Sequence, residues 1–208
     1  MSLVVDTYTL GLIGTNCYAL RAGNDARQAI VIDPGDDGAE LARIYSRCVA
    51  ILLTHTHWDH VGGVAALAEA TGAPVYVSEA AAPALATPVA GVPGLTVPGW
   101  STVDHVSGGQ TLALGGIELE ILDVPGHAPG HVSFYADGCL FSGDVLFAGS
   151  VGRVDIPGGD WDTLLASIRL LTETYPPETT VYPGHGPQTT LGAELARNPF
   201  LAELRAAT

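Results

Sequence analysis

Seven side chains have the types and spacing for metal-assisted hydrolysis: His55, His57, Asp59, His60, His127, Asp144 and His185. The first four fall within Thr54-His55-Thr56-His57-Trp58-Asp59-His60. His55 and His57 are two apart, so an extended backbone places both on one side. Asp59 and His60 are neighbours and point apart unless the chain turns there. One pair can then serve one ion and the other pair a second. The remaining three sit in Pro125-Gly126-His127, Ser142-Gly143-Asp144 and Pro183-Gly184-His185, each after a strand signal, with a glycine that permits close backbone approach. Imidazole and carboxylate suit zinc, iron or manganese, zinc being the expected ion, and the absence of paired cysteines argues against a structural thiolate site. Seven ligands exceed one tetrahedral ion. Two divalent ions sharing a carboxylate would each keep an open position for water, and an acid such as Asp144 can bridge because its two oxygens can bind different ions.

The elements that must position these residues alternate along the chain. Leu3 to Tyr8, Cys17 to Arg21 and Ala29 to Ile32 read as strands, Asp33 to Gly38 as a turn, and Ala39 to Cys48 as a helix. Val49 to Leu53 is a continuous apolar run suited to a buried strand, and it ends where the histidines begin. Val64 to Thr71 reads as a helix closed by Gly72, with a strand at Val75 to Val77. The Pro- and Gly-rich segment 83–99 reads as an irregular surface excursion with the character of a lid. Strands follow at Thr111 to Leu114, Ile117 to Asp123, Val132 to Tyr135 and Cys139 to Phe141. Trp161 to Thr174 carries Leu164, Leu165, Ile168 and Leu171 on one side of a helix, and Thr180 to Tyr182 is a last strand. Each half runs from strands into a helix, which predicts an α/β chain with two packed sheets and outer helices, a four-layer αββα sandwich.

Composition bounds the function. The 208 residues are 47% hydrophobic and 14% charged, enough to build one domain over residues 1–208. A net charge of −14 disfavours nucleic acid and anionic membrane as partners. Cys17, Cys48 and Cys139 have no CxxC spacing and read as free thiols of a reducing compartment. The N-terminal residues lack a basic stretch followed by an apolar run, and nothing approaches ~20 uninterrupted apolar residues. The expected location is the cytoplasm.

The motif THTHWDH, with PGH, GD and a late PGHGP, resembles the metallo-β-lactamase superfamily, over nearly the whole chain. The resemblance implies the αββα fold. It also implies His55, His57 and His127 on one ion, Asp59, His60 and His185 on the other, and Asp144 between them. Within the superfamily, Pro125-Gly126-His127-Ala128-Pro129-Gly130-His131, Gly143-Asp144-Val145-Leu146-Phe147, Val151-Gly152-Arg153 and Gly184-His185-Gly186-Pro187 look like the short bacterial form of the glyoxalase II (hydroxyacylglutathione hydrolase) group. That likeness implies an acyl thioester of glutathione or another low-molecular-weight thiol as substrate. It puts Arg153 where a basic residue meets the thiol's carboxylate, and Asp155 where longer members carry a tyrosine. About twenty residues follow His185 here, so no counterpart is expected for the helical region through which longer members contact glutathione. Relatives with other activities differ locally. Quorum-signal lactonases carry a tyrosine where this chain has Phe147. Persulfide dioxygenases use a single iron on residues matching His55, His127 and Asp144, and follow the middle histidine with a cysteine where this chain has His131.

The chemistry expected from this set is attack of a metal-bound hydroxide on a thioester carbonyl, with Asp59 and Asp144 orienting the nucleophile. A leaving thiolate of pKa ~8.5 departs without a strong general acid. His131 is expected to orient a ligand, Trp58 to pack the wall, His105 to lie at the surface, and Cys17 to be a buried thiol. Asp33 either supports the ligand loop or serves only its turn.

Overall fold

The computed structural model describes residues 3–206 except 24, 26 and 91. Its first half contains β1 (Val4–Leu10), β2 (Thr15–Arg21), β3 (Gln28–Ile32), α1 (Gly38–Ile44), β4 (Arg47–Leu52), α2 (Trp58–Val61), α3 (Val64–Thr71) and β5 (Val75–Ser78). Then come α4 (Ala82–Leu85), β6 (Val89–Ala90), β7 (Thr96–Val97) and β8 (Val103–Val106). Strands β1, β2, β3, β4, β5 and β8 form one sheet in that order, antiparallel as far as β3 and parallel beyond it.

The second half supplies β9 (Thr111–Leu114), β10 (Ile117–Asp123), β11 (Val132–Ala136), β12 (Cys139–Gly143), β13 (Leu146–Phe147), β14 (Ser150–Val151), α5 (Trp161–Thr174), β15 (Thr180–Pro183) and β16 (Thr189–Thr190). Helix α6 (Leu191–Arg197), a 3-10 turn at Pro199–Leu201 and α7 (Ala202–Ala206) close the described chain. The second sheet runs β16-β15-β12-β11-β10-β9, with β12 and β15 parallel.

Alternation of side chains along the strands explains the layers. Cys17, Ala19, Val31, Ile51 and Leu53 face one way and meet Leu41, Val61, Leu67 and Leu85 from the helices α1–α4 and their flanks. Their neighbours Tyr18, Leu20, Ile30, Ile32, Ala50 and Leu52 face the other way and meet Leu119, Ile121, Phe134 and Phe141 of the second sheet. The far side of that sheet packs Leu140 and Val181 against Leu164, Ile168 and Leu171 of α5 and Leu191 of α6. Three apolar layers separate four layers of structure, the αββα sandwich that the sequence predicts. No helix among the described residues is long and apolar enough to cross a membrane.

Local rules account for the helix ends. Helix α3 stops at Gly72, whose φ of 70° suits glycine, and α5 starts where the Asp160 side chain accepts the Thr163 N–H. Two readings need correction. The helix expected over 39–48 ends at Ile44, because Tyr45 leaves helical geometry and Arg47 already pairs with Gln28 in the sheet. Segment 83–99 is not irregular throughout. It begins within α4, forms the β6–β7 hairpin and returns so that the Trp100 N–H bonds the Leu85 carbonyl. Leu95, Thr96, Val97 and Pro98 line a groove together with Leu10, Leu12 and Trp58.

Candidate metal centre

The chain leaves β4 still extended and turns at His57, after which Asp59 and His60 occupy the single-turn helix α2. That turn lets two adjacent residues face one centre: His60 Nε2 and Asp59 Oδ2 are 3.4 Å apart. His127, Asp144 and His185 arrive from the loops after β10, β12 and β15. The fold thus brings all seven sequence-predicted residues together from both sheets.

They fall into two groups. His55, His57 and His127 have ligand atoms within 4.8 Å of one another, as do Asp59, His60 and His185, and Asp33 lies equally close to His55 and His60, where the two groups adjoin. Asp144 lies between them. Its Oδ1 is 3.3 Å from His60 Nε2, and its Oδ2 is 3.5 Å from His127 Nε2 and 3.6 Å from His185 Nε2. Ligand atoms about 2.0 Å from a tetrahedral zinc stand roughly 3.3 Å from one another. His55 Nε2, His60 Nε2 and Asp144 Oδ1 are buried with no hydrogen-bond partner. Native structures seldom bury such atoms unsatisfied unless something else binds them. The cluster is suited to two metal ions.

The rings are oriented from behind. Asp33 accepts the Thr54 backbone N–H at 2.8 Å and the Thr54 hydroxyl at 2.6 Å, and its Oδ2 also meets His60 Nδ1 at 2.9 Å. It therefore supports the ligand loop as well as making its turn, with a φ of 50°. The Thr54 hydroxyl lies 3.0 Å from His55 Nδ1, and the Arg153 carbonyl accepts from His127 Nδ1 at 2.8 Å. Such bonds leave the opposite ring nitrogen free for an ion. His131 stacks on His55 at 4.7 Å, and its Nε2 accepts the Asp144 N–H at 3.2 Å, matching its expected orienting role. Trp58 packs on the first apolar layer, Cys17 is buried and His105 is exposed.

Sequence reasoning missed several supports. The Thr15 hydroxyl donates to Asp59 Oδ2 at 2.7 Å. Asn16 Nδ2 donates to the carbonyls of Pro183 and Gly186, and the Tyr18 hydroxyl to that of Pro183, which pins the loop carrying His185. A polar Asn beside the apolar strand run Cys17 to Leu20 was the available signal. Gly152 and Gly184 are required by crowding. A Cβ on Gly152 would stand 1.8 Å from the Asp144 carbonyl oxygen, and one on Gly184 2.0 Å from Asp144 Oδ1.

The electrostatics differ between the groups. Burial, reinforced by neighbouring imidazoles, pushes His55 well down and His57 down to about 4, and it also lowers His127. Burial opposes the charge on His60 and His185 too, but carboxylates outweigh it and both are raised. Burial alone would lift Asp144, yet His60 holds its carboxyl well below the usual range. One group is thus neutral and ready to ligate, whereas the other is a carboxylate–imidazole cluster that competes for protons. Arg153 lies at the rim, its backbone on His127 and its side chain largely exposed.

Comparison with known proteins identifies the family. Residues 10–185 match the model of the metallo-beta-lactamase superfamily. The hydroxyacylglutathione hydrolase GloC of Haemophilus influenzae is 34% identical over 86% of this chain and 89% of its own. The crystal structure of BLEG-1 B3 metallo-beta-lactamase superposes with a TM-score of 0.87 at 38% identity, covering 96% of this chain and 100% of that one. The structure of TTHA1623 in a di-iron-bound form superposes with a TM-score of 0.82 at 42% identity, covering 95% and 100%.

Proposed function

The chain belongs to the metallo-beta-lactamase superfamily, and within it we propose a dinuclear-metal thioester hydrolase acting on S-acyl derivatives of a low-molecular-weight thiol, with an S-2-hydroxyacylglutathione as model substrate. The observation that carries the hydrolytic reading is Asp144, whose two oxygens approach histidines of both ligand groups. The thioester reading is supported by the likeness to GloC. It is also supported by the chemistry of the leaving group, since a thiolate of pKa ~8.5 needs no strong acid.

In this reading His55, His57 and His127 would hold one ion and Asp59, His60 and His185 the other, and Asp144 would serve both. Zinc is the expected ion, and a di-iron relative makes iron the principal competitor. Two divalent ions would supply an acidified water and a Lewis acid for the carbonyl. The protein supplies the rest. Asp59, held by Thr15, and Asp144, held by His131, orient the attacking water. Asp33 and the Arg153 carbonyl fix the rings of His60 and His127 so that only one nitrogen of each faces the site. Arg153 contacts the thiol carrier at the rim. The 208 residues act as one catalytic domain, and the free thiols Cys17, Cys48 and Cys139 suit the cytoplasm.

The test is a panel of acyl thioesters, lactones and β-lactams on zinc-, iron- and manganese-loaded protein, with oxygen uptake recorded on glutathione persulfide. Thioester turnover well above the other classes is expected. Fast lactone or lactam turnover without thioester hydrolysis would overturn the reading, as would oxygen consumption with one iron per chain.

A further inference from the structure

The chain has eight arginines and no lysine. Among the described residues, Arg153 is the arginine whose backbone hydrogen-bonds a histidine of the metal centre. The residue before it, Gly152, packs on Asp144 and His127 so closely that a Cβ there would lie 3.1 Å from His127 Nδ1. This guanidinium therefore starts from the wall of the site.

Its fork is already filled. Arg153 Nε donates to Asp155 Oδ1 at 2.7 Å and Nη2 to Asp155 Oδ2 at 2.8 Å. This is the paired, parallel geometry with which an arginine would grip a substrate carboxylate. Both side chains are exposed, at 65% and 72%, so the pair is not there to fill a core. The proximity holds Arg153 above its ordinary pKa and Asp155 below its own, so both stay charged. A carboxylate approaching the Nε–Nη2 edge must displace a like-charged group, and on the remaining N–H groups it lies beside that group's charge, on a protein of net charge −14. A neutral amide on those remaining N–H groups meets no charge repulsion from Asp155. The pair uses two of the five guanidinium N–H groups and leaves carboxylate lone pairs unused, so donors and acceptors stand side by side, as an amide requires.

We propose that Asp155 is a specificity-determining residue. By occupying the Arg153 fork at the rim, it directs the site to thioesters whose carrier presents an uncharged amide there, and against carriers presenting a free carboxylate. This assignment rests on the thioester reading and narrows it.

The test compares an S-2-hydroxyacylglutathione with its diethyl ester, which caps both carboxylates, on metal-loaded wild type, D155N, R153Q and the double variant. Wild type should have the higher kcat/KM on the diester. D155N should raise kcat/KM for the free acid about three- to fivefold through KM, well beyond any change on the diester. That gain should vanish when R153Q is added, which separates a contact through Arg153 from a general charge effect. Calorimetric affinities for S-methylglutathione and its diester should follow the same order. A wild-type preference for the free acid that R153Q abolishes would overturn the assignment, as would an unchanged substrate ratio in D155N. If wild type hydrolyses neither thioester, the thioester reading itself fails and this assignment falls with it. Equal turnover of both overturns only the assignment.

Discussion

Asp33 Oδ2 accepts the Nδ1–H of His60 at 2.9 Å, which leaves Nε2 of that ring facing Asp59 and Asp144. In D33N an amide N–H can take the place of Oδ2, and His60 must then accept at Nδ1 and carry its proton on Nε2. Asparagine tolerates the positive φ at this position, so the fold should survive. Affinity at the second ion should fall about 10–100-fold with the first retained, measured by competition with a chromophoric chelator. Equal loss of both ions would show that Asp33 supports the whole motif and not one ring.

Acid should empty the centre in two steps. His60 and His185 are raised, so protons compete for them from higher pH, whereas His57 lies at about 4 and His55 and His127 are also lowered. As pH falls, the Asp59–His60–His185 group should release its ion first. The histidine triad should hold its own until the pH nears the pKa of His57. Metal content after desalting at stepped pH should pass through a plateau at one ion per chain, and a single step from two to none would refute the ordering.

Gly184 admits no side chain. In G184A the new Cβ would press on Asp144 Oδ1 and stand 2.7 Å from His60 Cε1. Overpacking of this kind costs ~1–3 kcal/mol. Here it also displaces the shared carboxylate, so kcat should fall about 10–100-fold and metal content below two per chain. Thermal unfolding together with metal analysis checks both parts.

Glu194 holds the hairpin beside the site. Its buried carboxylate accepts from the Gly149 N–H, the Thr189 hydroxyl and Asn198 Nδ2 at 2.8, 2.6 and 2.8 Å. The hairpin it ties down carries Phe147, edge-on to His185 at 6.1 Å. E194A leaves these donors without their acceptor and should lose about 2–3 kcal/mol in urea unfolding. A loss under ~0.5 kcal/mol would mean that water replaces the carboxylate.

Much of the layering was legible because buried strands and amphipathic helices follow simple periods. Leu164, Leu165, Ile168 and Leu171 of α5 are buried as their spacing predicts. Strand β8 was not legible: it is a short edge with Asp104 and His105 exposed, so it lacks a hydrophobic pattern. The end of α1 was also hidden, since Tyr45-Ser46-Arg47-Cys48 carries no proline or glycine to stop a helix, and pairing with β3 decides it. The grouping of site residues could be read from spacing and family likeness. The contacts of Thr15, Asn16 and Gly184 join segments forty or more residues apart, and nothing local announces them.

His55, His57, Asp59 and His60 follow a strand of one sheet, while His127, Asp144 and His185 follow strands of the other. Any ion bound there is therefore a cross-link between the two halves of the sandwich. By thermodynamic linkage, ion affinity and the free energy of sheet closure are coupled. Trimming Phe134 in the apolar layer between the sheets, with no change near the ligands, would then weaken ion binding. Conversely, saturating the centre would stiffen strands well beyond the reach of the ions.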